Sequence, residues 1–280
     1  GGWCFVDFAA SAPYVDMDMH PSDDPQKKLD AIMFSPHKFL GGPGSSGVLV
    51  FDQRLYKNRI PDNPGGGTVD WTNPWGEFKY TDDIEAREDG GTPGFLQAIR
   101  TALAIEVKNQ MGTDKIKKRE DELVKLAFGG MRKIPQLHIL ADNIEDRLGI
   151  ISFYFENIHY NLVVRLLNDK YGIQTRGGCA CAGTYGHFLL EVTQEQSQEI
   201  TDKINHGDLS EKPGWVRWSM HPVMTGEEVD LMIEALKDIA HNTTRYEKQY
   251  LYDNHKNIFW HKSDPGKQKQ IENWFSMEKP

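Results

Sequence analysis

The sequence predicts an α/β protein with two domains and a polar tail, over residues 1–112, 113–245 and 246–280. In the first domain, short apolar runs stop at Gly, Pro and Ser turns, as strands of a sheet do. The second domain alternates strand-like and helix-like segments. A chain of 280 residues with 39% hydrophobic residues is also long enough to bury a sizeable core.

The first domain is predicted from its apolar runs and the breaks between them. Residues 52–92 are rich in Gly, Pro and Trp and are predicted to be irregular, which is typical of functional or interfacial loops. A helix is predicted from Phe95 to Gly112 because Phe95, Ile99 and Ala102 recur at helical spacing after Pro93. Three strands are predicted before it, at residues 3–8 (buried, ending on Asp7), 31–34 and 48–51.

The second domain is predicted from alternating patterns. Its last helix opens with the capping-box sequence Thr225-Gly-Glu-Glu228. The tail after Tyr246 is predicted to begin as a helix. The remaining predicted helices are 115–128 and 161–170, and the predicted strands are 137–141, 149–155, 172–176 and 215–220.

Charge and composition exclude several classes of protein. The net charge of -9, with acidic and basic residues interspersed, argues against a nucleic-acid binder, and no apolar segment is long enough to span a membrane. Three cysteines and no visible signal peptide favour a reducing, cytoplasmic location. The chain opens on a strand-like run without an initiator Met, so we expect a fragment of a longer protein.

One stretch places a lysine at the end of a strand. Lys38 follows the apolar run 31–34 and precedes a Gly-rich turn, where small residues let another molecule approach the backbone. Asp7 ends the preceding predicted strand, and ligands of open α/β sheets bind at such ends. A solvated turn lysine and an aspartate that caps a turn are the simpler readings of the same residues.

A second stretch, Arg176-Gly-Gly-Cys179-Ala-Cys181, carries two thiols beside an arginine in a Gly-rich turn. A partly exposed, electropositive setting favours thiolate character. The alternative of a zinc site lacks a second cysteine pair, and we predict no metal. A disulfide between Cys179 and Cys181 is disfavoured across one residue.

Six motifs in order resemble one family. The chain resembles the cysteine desulfurase and selenocysteine lyase branch of the class V aminotransferases, pyridoxal-phosphate (PLP) enzymes of fold type I. The resemblance implies part of a large domain with a central mixed sheet, followed by a smaller α/β domain. The motifs are Val6-Asp-Phe-Ala9, Phe34-Ser-Pro-His-Lys38, Gly65-Gly-Gly-Thr68, Gly91-Thr-Pro93, Arg176-Gly-Gly-Cys-Ala-Cys181-Ala, and Arg217-Trp-Ser219 with Thr225-x-Glu-Glu-x-Asp230.

The resemblance implies a role for each matching residue. Lys38 would be the Schiff-base lysine, and Asp7 would pair with the pyridinium nitrogen, which makes the ring an electron sink. Arg217 would grip the substrate carboxylate, with help from Arg176. Cys181 would be the thiol that takes sulfur from cysteine as a persulfide, leaving alanine. The residues implied at the cofactor phosphate are Ser35 and His37, with Gly65 and Thr92 reaching the phosphate in the neighbouring subunit.

The same resemblance implies a homodimer with shared active sites, an amino-acid substrate and a sulfur-accepting protein. Ala10 stands where these enzymes usually carry a glutamine, and Cys179 where they often carry a histidine. The family's segment before Asp7 helps to bind the cofactor, so these 280 residues alone are expected to bind it weakly or not at all. Transamination, epimerisation, selenocysteine cleavage and a non-catalytic scaffold remain alternatives.

Overall fold

The structure is a computed structural model that describes residues 2–179, 182–264 and Trp274. The chain divides into two compact units, Gly1–Lys117 and Lys118–Pro280. The predicted division into 1–112, 113–245 and 246–280 stays a prediction. Among the described helices, none combines the length and the apolar content that a bilayer crossing requires.

A three-stranded mixed sheet forms the centre of the first unit. It consists of β1 (Phe5–Asp7), β2 (Ala31–Phe34) and β3 (Val48–Phe51), in that order. Strand β1 runs parallel to β2, and β2 runs antiparallel to β3. The bounds predicted for β2 and β3 are confirmed. The prediction of a buried first strand is wrong, because β1 is an edge strand and Phe5 is 56% exposed.

The stretch 52–92 is less irregular than predicted. It contains a β-hairpin and a short helix, β4 (Val69–Thr72), β5 (Phe78–Tyr80) and α1 (Ile84–Glu88). The Asn73 side chain shapes the hairpin turn, since its Oδ1 accepts hydrogen bonds from the N–H groups of Trp75 and Glu77. Asn is a preferred turn residue because its side chain can replace backbone acceptors in this way.

The helix predicted after Pro93 is confirmed as α2 (Phe95–Met111). Its buried side differs from the one that the spacing suggested. Ala104 and Lys108 face the interior, whereas Phe95 and Ile99 are 64% and 56% exposed. Helix α2 therefore packs through a narrow stripe of small and basic residues.

The second unit contains a four-stranded antiparallel sheet with strand order β6-β7-β9-β8. In β7, buried side chains such as Phe153 alternate with half-buried ones such as Ser152, the period expected of a sheet with one core face. The core lies on that face, where β7 and β9 meet α3, α4 and α7. The elements are α3 (Thr113–Met131), β6 (Leu137–Ile139), β7 (Ile150–Phe155), α4 (Tyr160–Tyr171), β8 (Arg176–Gly178), α5 (Gly183–Leu189), α6 (Gln194–Asn205), β9 (Trp215–Ser219) and α7 (Gly226–Glu247).

Two predictions for this unit are wrong, and two helices were missed. Strand β8 begins at Arg176, where the predicted strand ended, because Gly172 adopts the left-handed conformation that ends α4. Helices α5 and α6 were not predicted. The expected helix after Tyr246 is a hairpin, β10 (Tyr250–Asp253) with β11 (Ile258–His261), after α7 has ended at Glu247.

Candidate active site

The parallel pairing of β1 and β2 places Asp7 and Lys38 at one edge of the first sheet. Asp7 is the last residue of β1 and lies opposite Met33 of β2. Lys38 follows the end of β2 by a single 3-10 turn, Pro36–Lys38. Parallel strands end at the same edge of a sheet. Asp7 and Lys38, which were expected to lie on either side of the cofactor ring, therefore start from neighbouring strand ends.

The turn that carries Lys38 is held tightly by the backbone. The Lys38 N–H donates to the Ser35 carbonyl at 3.0 Å, and the Phe39 N–H donates to Pro36 at 2.9 Å. The chain then folds back so closely that a Cβ on Gly42 would lie 1.8 Å from the Pro36 carbonyl oxygen. Only glycine fits here, so this position fixes the path of the turn.

Side chains of the small core anchor the same turn from below. Phe39 is 4% exposed and stacks on Phe34, with 5.9 Å between the ring centroids. Lys108 of α2 lies over the Phe39 ring at 5.7 Å and donates to the Val15 carbonyl oxygen. Burial lowers the pKa of Lys108. The base of the lysine turn is therefore rigid, while its tip faces outward.

The polar side chains at this edge of the sheet are accessible to a ligand. Asp7, His37 and Lys38 are exposed and Ser35 is half-buried. Asp7 uses Oδ1 to accept the Ala9 N–H at 2.7 Å, which leaves Oδ2 available. Within the described ranges, no ion pair or hydrogen bond of the Lys38 amine is found. An amine and a carboxylate in this state fit a cofactor with an aldehyde and a basic ring nitrogen.

Gly65 and Thr92 belong to two loops that lie against each other. A Cβ on Gly65 would come within 3.2 Å of the backbone at Gly90 and Gly91, and the Gly91 N–H donates to Gly66 at 2.8 Å. The buried Thr68 hydroxyl donates to the Gly65 carbonyl at 2.7 Å and fixes the first loop. Gly65 and Thr92 are both exposed.

The register of the second sheet brings the two predicted substrate arginines together. Arg176 of β8 lies directly opposite Arg217 of β9, and Ser152 of β7 lies opposite Arg217 on its other side. The Arg217 Nε atom is buried and has no hydrogen-bond partner within the described residues. Two guanidinium groups that start from opposed positions on one sheet face suit a carboxylate ligand.

The Cys179 thiol is a hydrogen-bond donor in a partly buried position. Its Sγ donates to the Pro213 carbonyl at 2.8 Å, and burial raises the pKa of the thiol. The expectation of thiolate character is therefore wrong for Cys179, which is held as a hydrogen-bond donor. Cys181, the expected catalytic thiol, lies outside the described residues.

The sequence did not predict how the helix that follows the cysteine loop is packed. Helix α5 begins two residues after Cys181 and rests on the buried Trp215 of β9. The contact is close because a Cβ on Gly186 would lie 3.1 Å from the indole ring. The only sequence signal was the small residue Gly186 within an aromatic stretch, and it identifies no packing partner by itself.

The fold is that of the PLP-dependent enzymes. The chain belongs to the aminotransferase class-V family, whose model matches residues 1–232. This family uses PLP as its cofactor, as the resemblance of the six motifs implied. The expected fold, a partial large domain with a mixed sheet followed by a smaller α/β domain, is confirmed by the structures that resemble it.

Several relatives are cysteine desulfurases by name. A probable cysteine desulfurase of Staphylococcus epidermidis is 34% identical over 232 residues, which are 83% of this chain and 49% of the relative. The apo cysteine desulfurase of Thermococcus onnurineus is 25% identical, with a TM-score of 0.65 over 85% of this chain and 52% of that one. An Escherichia coli cysteine desulfurase shares the fold at 24% identity and a TM-score of 0.60. The chain thus spans about half the length of these relatives.

Proposed function

We propose that this chain contributes the lysine, cysteine and arginine residues of a PLP-dependent cysteine desulfurase. The observation that carries the proposal is the parallel pairing of β1 and β2, which puts Asp7 and the Lys38 turn at one sheet edge. The identity of 34% to a probable cysteine desulfurase supports the choice of reaction.

The cofactor would be held by residues of the first unit. Lys38 would bind it through its amine, Asp7 would pair with the ring nitrogen, and Ser35 and His37 would contact the phosphate. Bound PLP supplies an electron sink for the carbanion at the substrate α-carbon. The rigid base of the lysine turn supports this assignment, since precise placement of the amine is worth much of the rate.

The substrate would be L-cysteine, bound through its carboxylate by Arg217 with Arg176 opposite. The released Lys38 amine would move the α-proton, and the Cys181 thiolate would take the substrate sulfur. The balanced outcome is one alanine and one Cys181 persulfide for each cysteine consumed. The exposed loops at Gly65 and Thr92 support a homodimer in which each copy completes its neighbour's phosphate site.

A comparison of Cys181→Ser with wild type tests the reaction. The full-length protein is incubated with PLP and cysteine, and alanine and sulfide are measured. We expect Cys181→Ser to lose both products and Cys4→Ser, a change at an exposed free thiol, to keep them. Undiminished alanine and sulfide from Cys181→Ser would refute the persulfide reaction and favour another reaction of the family.

Visible absorbance after PLP addition tests the cofactor assignment separately. The full-length wild-type protein should gain a band that full-length Lys38→Ala lacks. A band of equal strength in Lys38→Ala, or none in either protein, would favour a scaffold that keeps the fold without the chemistry.

A further inference from the structure

One buried asparagine fixes the hairpin β10–β11 to the start of α4. Asn257 lies in the turn between the two strands and is 8% exposed. Its φ angle of 54° is in the left-handed region, which Asn tolerates better than most residues. The family model matches residues 1–232, so the hairpin lies after the matched part of the chain. No role implied by the family therefore covers Asn257.

The side chain and the carbonyl of Asn257 make three hydrogen bonds. Nδ2 donates to the Tyr160 Oη at 2.8 Å, and the Asn257 carbonyl oxygen accepts from the Asn161 Nδ2 at 2.6 Å. Oδ1 accepts from the Tyr252 hydroxyl at 3.1 Å, within the hairpin itself. Asn257 therefore joins the hairpin to Tyr160 and Asn161, the first two residues of α4.

The side chains of Tyr160 and Asn161 lie directly against β8 and the segment beside it. A Cβ on Gly177 of β8 would lie 2.3 Å from the Asn161 Oδ1 and 3.2 Å from the Tyr160 ring. A Cβ on Gly214 would lie 2.6 Å from the same ring. Neither contact leaves room for a Cβ, so the path of β8 is set by where these two side chains lie.

Strand β8 has a residue of interest at each end. Arg176 is its first residue, and Cys179 directly follows its last. The Cys179 Sγ donates to the Pro213 carbonyl at 2.8 Å. Burial raises the pKa of Tyr160, and the nearby Cys179 raises it further. Because Tyr160 contacts the strand between Arg176 and Cys179, its position affects both.

Aromatic rings hold the start of α4 against the hairpin. The His159 ring stacks on Tyr160 with 4.4 Å between centroids and lies 5.4 Å from Tyr252 and 5.3 Å from Phe259. Tyr252 and Phe259 stack on each other at 4.4 Å. Aromatic pairs at these distances stabilise one relative arrangement. The hairpin is therefore a rigid support for Tyr160.

From these contacts we propose that the hairpin β10–β11 is a positioning element of the candidate site. Asn257 acts through Tyr160 and Asn161 to fix β8. Strand β8 in turn fixes where the Arg176 and Cys179 side chains start. The link to catalysis rests on the proposed function, in which Arg176 helps to bind the substrate carboxylate, whereas the link to Cys179 needs no assumption about the reaction.

Alkylation of Cys179 tests the positioning directly. Full-length variants react with iodoacetamide at pH 8 without denaturant, and tandem mass spectrometry gives the rate at Cys179 relative to the exposed Cys4. Asn257→Gly removes the side chain and leaves a residue that tolerates the left-handed turn. We expect it to raise the Cys179 rate about tenfold, because the thiol loses its bond to Pro213 and part of its burial. Lys256→Gly, at the exposed neighbouring residue, is the matched control and should change nothing.

Two further variants separate the proposed path from a general loss of stability. Tyr160→Phe removes the hydroxyl that Asn257 bonds, so it should also raise the Cys179 rate, and the double variant should exceed the larger single effect by less than about twofold. Tyr246→Phe removes a hydroxyl bond to Asp238 within α7 and is the destabilised control, with urea unfolding to measure its stability. An unchanged Cys179 rate in Asn257→Gly, additive effects of the two changes, or an equal increase in Tyr246→Phe would overturn the proposal.

Kinetics with L-cysteine test the link to the proposed function. In the full-length enzyme, Asn257→Gly should raise the KM for cysteine about tenfold, with a smaller change in kcat and with the PLP absorbance of wild type, because Arg176 is displaced and the Lys38 turn is not. An unchanged KM would overturn the part of the proposal that concerns Arg176. If the wild type releases no alanine and sulfide from cysteine, the proposed function fails, and the alkylation rates still decide whether the hairpin positions Cys179.

Discussion

Gly42→Ala tests whether the path of the chain after Lys38 is fixed by one close contact. In the native turn, a Cβ at residue 42 would lie 1.8 Å from the Pro36 carbonyl oxygen and 2.8 Å from its carbon. Real Cβ atoms essentially never come closer than 3.0 Å to such atoms, and both of these belong to the backbone. No side-chain rotation can relieve the overlap, so the turn itself must move.

The required movement sets the size of the effect. The distance from the new Cβ to the Pro36 oxygen must grow from 1.8 Å to at least 3.0 Å, and Lys38 lies two residues further along the same turn. Overpacking of this kind costs about 1–3 kcal/mol of unfolding free energy. Misplacement of a reacting group by about 1 Å can lower a rate about 100-fold. We therefore expect a loss of stability and a larger loss of cofactor attachment at Lys38.

The assay compares Gly42→Ala with Gly47→Ala, which lies in the same loop and has no atom within 4 Å of the position that its new methyl group would take. Urea unfolding followed by circular dichroism gives the stability, and mass spectrometry of the full-length protein after borohydride reduction gives the amount of PLP attached to Lys38. Gly47→Ala should stay within about 0.5 kcal/mol of wild type. If Gly42→Ala has the stability and PLP attachment of wild type, the close-contact explanation is refuted.

Three further changes test other parts of the chain. Arg217→Lys keeps the positive charge but loses the two-pronged donor geometry of the guanidinium group. The KM for cysteine should therefore rise about tenfold, with a smaller change in kcat. An unchanged KM would show that Arg217 does not bind the substrate. Burial raises the pKa of the Cys179 thiol, which donates to the Pro213 carbonyl, so Cys179 should react with iodoacetamide more slowly than the exposed Cys4 at pH 8. Peptide mass spectrometry measures both rates, and equal rates would contradict this explanation. Burial lowers the pKa of His159 in the folded state, so the contribution of the neutral imidazole to stability is present above the unfolded pKa and is lost as the pH falls through the folded pKa. His159→Asn keeps a side chain that can cap α4 but removes this titration. The melting temperature of His159→Asn should therefore fall less than that of wild type between pH 7 and pH 4.

Elements with a local signal were predicted well. Strands β2 and β3 were predicted to the residue because each is an apolar run bounded by Pro, Gly or Asp. Helix α2 was predicted because apolar residues recur at helical spacing after Pro93. The sequence also carried signals that were not used, such as Asn73 in the β4–β5 turn and the capping box that Thr193 forms with Gln196 at the start of α6.

Features that depend on distant residues could not be predicted from local patterns. The apolar spacing in α2 suggested a buried side that includes Phe95, but the packing of Ala104 against the Phe39 turn decides which side faces inward. The state of Cys179 depends on Pro213, which is far away in sequence. In both cases a tertiary contact outweighs a local tendency.

The opposed arginines show how such a long-range pairing bears on function. Arg176 and Arg217 were singled out separately, and only the register of β8 with β9 puts them opposite each other. A buried Nε at Arg217 without a hydrogen-bond partner among the described residues costs free energy. In the proposed function, a carboxylate ligand would supply the hydrogen-bond acceptor that this Nε lacks. We therefore expect a bound amino acid to stabilise the second unit in proportion to its occupancy.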